Sequence, residues 1–236
     1  MEIDQSKRYF NFPIQLLNGY LNDPKEVLQK IADYAIYQKF KEIRKEKPKR
    51  TIAYNLKEVA KFFRITIGSR AENYIHRAEN SIRSEPQRSP IAGIKTAMLF
   101  DFHDNPKTEF ENVCLLAYLA LKSILGSKPY CKVTNLYLLA RMAGRTTAYD
   151  DISEVAHELQ MYASRYHLDK VKKELVLNWG LKLYARHTRG FYASFTMQLD
   201  ALILNAEKRR KAKIWKAHKD RERETVNRVL QTLNRN

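Results

Sequence analysis

Cationic side chains are the residues through which this sequence could do chemistry, and three sets of them are candidate contacts. Arg165, Lys170, Lys172 and Lys173 fall in one stretch, interleaved with Val171 and Leu175. Arg186, His187 and Arg189 lie between two aromatic runs, Lys182-Leu-Tyr and Phe191-Tyr-Ala-Ser-Phe195. Arg70, Asn73, His76 and Arg77 follow a turn further upstream. Ammonium and guanidinium groups neutralise phosphate, and Arg can also grip a phosphate or a guanine edge through two parallel hydrogen bonds. Asn and Arg both read base edges. The plain alternative is solvated surface, since the formal net charge is +17. What favours binding is that the first two sets sit within ordered elements.

Reaction chemistry has weaker claims. Arg70 and His76 stand at a spacing loosely like the Arg-x-His motif of HEPN ribonucleases, with nothing else in the chain to support it. Phe100-Asp-Phe-His103-Asp104 offers two carboxylates and an imidazole, but an aromatic strand ending in a polar turn accounts for it better. His157, His167 and His187 fall on different elements without metal-ligand spacing. No Gly-x-x-x-x-Gly-Lys phosphate loop and no Gly-x-Ser-x-Gly elbow occurs. No catalytic residue, metal or cofactor is expected.

The elements that must hold these cations can be read from capping and periodicity. Thr134 or Asn135 caps a helix in which Ala140 is a small mid-helix residue, and Gly144 ends it. Small residue and closing glycine are what a helix-turn-helix needs, with Leu139 and Ala140 buried at the crossing. A polar insertion, Arg145 to Asp151, precedes a helical segment from Ile152 to about Ala163. A second helix runs from about His167 to Leu177, and the aromatic runs about Arg186 to Gly190 make a β-hairpin. Helix, helix and basic-tipped hairpin is the order of a winged helix-turn-helix.

Upstream, residues 12–22 read as a short apolar helix with Pro13 near its first turn. Asp23-Pro24-Lys-Glu26 starts a long helix reaching about Glu46. Asn55 opens another, and Arg70 to Ile82 a further one, a second helix-turn-helix or a plain helical hairpin. Ile94 to Phe102 is expected as a strand. Glu109 to Leu125, ending at Gly126, has the clearest helical period. Gln198 to Gln231 is one helix or two, strongly basic from Lys208 to Arg223. The fold class expected is mainly α with small β-hairpins.

At 236 residues, 44% of them hydrophobic and with few Gly and Pro, the chain can bury a core. Its charge favours a polyanionic partner. Cys114 and Cys131 are the only cysteines, which suits a reducing compartment. Met1 to Phe10 carries no secretory pattern. The longest apolar run, Val113 to Leu125, contains Lys122 and is too short to span a bilayer. A cytoplasmic protein with no membrane partner is the expectation.

The layout of Asn55 to Ile82 with Ile94 to Phe102, and of Glu109 to Phe195, resembles the tandem winged-helix replication initiators of plasmids. That resemblance implies binding to repeated origin sites, and dimers. It divides the chain into a helical domain over 1–105, a winged helix-turn-helix over 106–197 and a basic extension over 198–236. The function expected is sequence-specific double-stranded DNA binding by a plasmid or phage replication initiator, non-catalytic, with a homodimer as one possible assembly. Rival readings are a transcriptional repressor using the same module and an RNA- or ribosome-associated basic protein.

Overall fold

The computed structural model describes residues 9–66, 75, 78–79, 89–186 and 190–233, with side chains as far as 227. The protein is mainly helical with two small antiparallel sheets. The helices are α1 (Pro24–Glu46), α2 (Ile52–Phe63), α3 (Thr96–Asp104), α4 (Glu109–Leu125), α5 (Asn135–Met142), α6 (Arg165–Asn178) and α7 (Leu199–Leu233). Strands β1 (Tyr9–Pro13) and β2 (Ile91–Lys95) form one sheet. Strands β3 (Cys131–Val133), β4 (Lys182–Tyr184) and β5 (Phe191–Ser194) form the other, in the order β3-β5-β4.

Helix α4 is the centre of the molecule. Thr108 and Glu111 cap it reciprocally, each side chain bonding the other's backbone N–H. Every residue from Asn112 to Leu121 is buried. A helix apolar on all sides is stable only when covered all round. Strand β2, strand β3, helices α5 and α6, and the 3-10 turn Ile14–Leu17 all pack on α4. One cluster of buried side chains therefore runs from Phe10 to Ala193. Inside it the Tyr20 hydroxyl donates to Asn112 Oδ1 at 2.9 Å, tying the N-terminal segment to α4.

Helix α1 starts as expected: Asp23 accepts the Glu26 N–H at 2.9 Å, with Pro24 in the first turn. Three upstream expectations are corrected. Residues 12–22 are not a helix: Phe10 and Phe12 alternate with Asn11 in β1, both rings fully buried, and only one 3-10 turn follows. Of the strand expected over Ile94 to Phe102, only Ile94 and Lys95 belong to β2; from Thr96 the chain is α3, in which Leu99 and Phe102 are buried at helical spacing. The helix expected to open at Asn55 begins at Ile52 under a Thr51 cap, leaving Asn55 buried inside it. The β1–β2 pair is also no hairpin, since its strands lie far apart in the chain.

Downstream, α5 is capped by Thr134, which accepts the Tyr137 N–H at 3.2 Å. Leu139 and Ala140 are buried, as expected, but the expected crossing with the second helix, α6, is not among the main contacts of their helix. Their helix packs on α4 and on a 3-10 turn, His157–Ala163. The segment expected as a helix from Ile152 to Ala163 is thus two 3-10 turns, Ile152–Glu154 and His157–Ala163, separated at Val155 and Ala156. Gly144 has φ +75°, and a Cβ there would stand 3.0 to 3.2 Å from backbone atoms of Asn18, Gln15 and Ile14. Glycine at this point lets the end of α5 press on the N-terminal segment. Strand β3 is not foreseen by the sequence reading. It pairs with β5 and adds a third strand to the hairpin expected over Lys182 to Phe195, whose strands β4 and β5 pair antiparallel while residues 187–189 lie outside the described ones.

Candidate nucleic-acid interface

Helix α6 begins under Ser164, whose Oγ accepts the His167 N–H at 3.3 Å and lies 2.8 Å from the His167 ring. That contact makes His167 part of the cap. Leu168, Val171 and Leu175 form the buried side. The opposite side, at helical spacing, is Tyr166, Lys170, Lys173 and Leu177, all exposed. Lys170 and Lys173 are therefore available to a partner, with the Lys170 ammonium resting 5.1 Å from the Phe110 ring centre. Arg165 projects from the first turn and makes only a 3.6 Å contact with Asp169.

Lys172 belongs elsewhere. Its Nζ donates to Asn135 Oδ1 at 2.9 Å and to Asp169 Oδ1 at 3.0 Å, and lies 4.8 Å from the Phe191 ring centre. Only 11% of the side chain is exposed. This lysine fastens α6 to the start of α5 and to β5, which the outward Lys170 and Lys173 do not.

Arg186 is exposed just beyond β4. His187 and Arg189, and the upstream set Arg70, Asn73, His76 and Arg77, lie outside the described residues. The structure thus brings together Arg165, Lys170 and Lys173 on α6, and puts Arg186 with Lys132, Tyr184 and Tyr192 and with part of the basic run Lys208 to Arg223.

Those residues line a groove of about 520 Å³ between the three-stranded sheet and α7. The sheet register sets Lys132, Tyr192 and Tyr184 side by side across β3, β5 and β4. Their strand neighbours Cys131, Val133, Phe191 and Ala193 turn inward to the core. The row therefore faces outward, where α7 adds Arg209, Arg210, Lys213 and Ile214. The Tyr184 hydroxyl donates to Glu207 Oε1 at 2.6 Å, and Arg210 Nε donates to Oε2 at 2.9 Å. The bond from Tyr184, then that from Arg210, holds the Glu207 carboxyl below the usual range, and Glu207 in turn raises the Tyr184 phenol. Strand alternation in Cys131-Lys-Val133 and Phe191-Tyr-Ala193 is the signal from which this row could be found, once β3 is recognised.

Among the described residues no group of three or more His, Cys, Asp or Glu side chains could hold a metal ion, and no helix is long and apolar enough to cross a membrane. Compared with protein-family models, with curated proteins and with solved structures, the chain matches none.

Proposed function

We propose that this protein binds double-stranded DNA sequence-specifically through a winged helix-turn-helix formed by α4 to β5, and acts as a replication initiator of a plasmid or other mobile element. The observation that carries the reading is connectivity. The order α4, β3, α5, α6, β4, β5, with the first strand paired to the last and the hairpin following the second of two helices, is that of a winged unit. In such a unit the second helix enters the major groove and the hairpin lies along the flanking backbone. Helix α6 presents Lys170 and Lys173 outward, with Arg165 at its N-terminal end, and Arg186 leaves β4 toward the hairpin tip. Asp169 also stands on this helix, bonded to Lys172 and close to Arg165, which moderates the positive field there.

Initiation in particular rests on the resemblance of layout, carried by the downstream unit, since β2 is short and leads into α3. Selection of bound sequences from random duplex DNA tests the function. A directional motif recurring within bound fragments is the expected outcome. A palindrome would replace the initiator with a transcriptional regulator, and no enrichment at all would remove sequence-specific duplex binding, leaving the RNA-associated reading.

A further inference from the structure

We infer that the groove between the outer face of the three-stranded sheet and α7 is a second nucleic-acid site, one that takes single-stranded rather than duplex nucleic acid. The inference stands apart from the role of α6, because none of the α6 cations lines the groove.

Lys132, Tyr192 and Tyr184 form a row across the outer face of the sheet. Two adjacent phenol rings on the solvent side of a small sheet are not needed for the core, which lies on the other face. Their orientation is prepared: Glu207 fixes the Tyr184 hydroxyl, and the Tyr130 ring lies 6.3 Å from that of Tyr192. Cations rim the rings. Lys132, Arg186, Arg209 and Lys213 are exposed, Arg186 with a side-chain hydrogen bond to Tyr184, while Arg210 is engaged with Glu207, the lone carboxylate among the described lining residues.

Cations beside aromatic faces match a strand whose phosphates and bases are both exposed. In a duplex the base faces are stacked on one another, so only the phosphates could use such a groove. A concave site of about 520 Å³ is also of small-ligand size, and fits a strand segment better than the body of a double helix. An acidic peptide would satisfy the cations and leave the rings without a role.

The test is fluorescence anisotropy of labelled oligo(dT) and of a labelled duplex, on the full chain at matched salt concentrations, with folding followed by circular dichroism. Tyr192→Leu should weaken oligo(dT) binding about tenfold, the effect of losing one stacked base, and leave duplex binding within about twofold. Tyr192→Phe should bind like the parent. Arg209→Glu with Lys213→Glu, at exposed positions on α7, should weaken oligo(dT) at least as much. Across a salt series the same variant should show a slope flatter by about 0.7 for each phosphate it no longer neutralises. Lys170→Ala with Lys173→Ala should leave oligo(dT) binding intact, whatever it does to the duplex. Unchanged oligo(dT) affinity in a folded Tyr192→Leu, or equal losses for oligo(dT) and duplex, would overturn the proposal and reduce the groove to charged surface.

Discussion

Lys172 and Lys173 are neighbours in sequence and opposites in use. Composition sees two cations; a helix turns them about 100° apart, so one meets Asn135, Asp169 and the Phe191 ring while the other meets solvent. Lys172→Ala should cost roughly 1–2 kcal/mol in chemical denaturation, and Lys173→Ala close to nothing. Equal stabilities would mean the Lys172 contacts contribute nothing. Gly190 is as demanding: φ is +94°, and an added Cβ would lie 2.3 Å from the Val133 carbonyl oxygen. Gly190→Ala should destabilise by at least about 2 kcal/mol, and a neutral thermal midpoint would refute this tight passage between β5 and β3. Tyr20→Phe leaves the Asn112 Oδ1 acceptor without its donor, at a cost of ~1–3 kcal/mol. The two thiols are quiet, because burial pushes Cys114 to about 12 and Cys131 to about 11. The Lys172 contacts and the Gly190 passage are invisible in the sequence, since each depends on residues brought together only by the fold.

At the scale of elements, legibility follows how local the determining signal is. Helices α1 and α4 announce themselves through their own caps and apolar period, and both are legible in the sequence to near their ends. The hairpin is legible from its alternation and its turn. Strands β1, β2 and β3 escape or are misplaced because their partners are distant in sequence, Tyr9 opposite Lys95 and Val133 opposite Phe191. A strand as short as Cys131–Val133 has no periodicity to detect. The groove is hidden for the same reason, since one of its walls depends on β3 and the other on how α7 lies across the sheet. Helix α7 itself, 35 residues and about 50 Å long, is exposed from Lys211 through Asn227. Removing residues 219–236 should therefore shift stability by no more than about 0.5 kcal/mol. A large fall would show that another surface covers this half of the helix in solution.

For the molecule as a whole, charge bears on stability and on the partner proposed. Asp101, Glu111, Asp151 and Glu207 all have carboxyl groups held below their ordinary values, by Lys107 and Asn105, by Thr108, by Ser153, and by Tyr184 with Arg210 respectively. Depressed carboxyls stabilise the fold above the unfolded-state values and lose that contribution as pH falls through the lowered ones. Melting temperature should accordingly hold near neutrality and decline on acidification below the ordinary carboxylate range; a midpoint that rises there would contradict these hydrogen bonds. A net charge of +17 favours polyanions of any kind, so affinity alone would say little. The direct test is duplex DNA affinity across a salt series for the parent protein and for Lys170→Ala with Lys173→Ala. The account predicts a log–log slope of about −0.9 per phosphate neutralised, flatter by roughly one unit for each lysine removed, with both proteins equally folded. Identical slopes for the two proteins would contradict it, because the outer face of α6 would then not touch DNA.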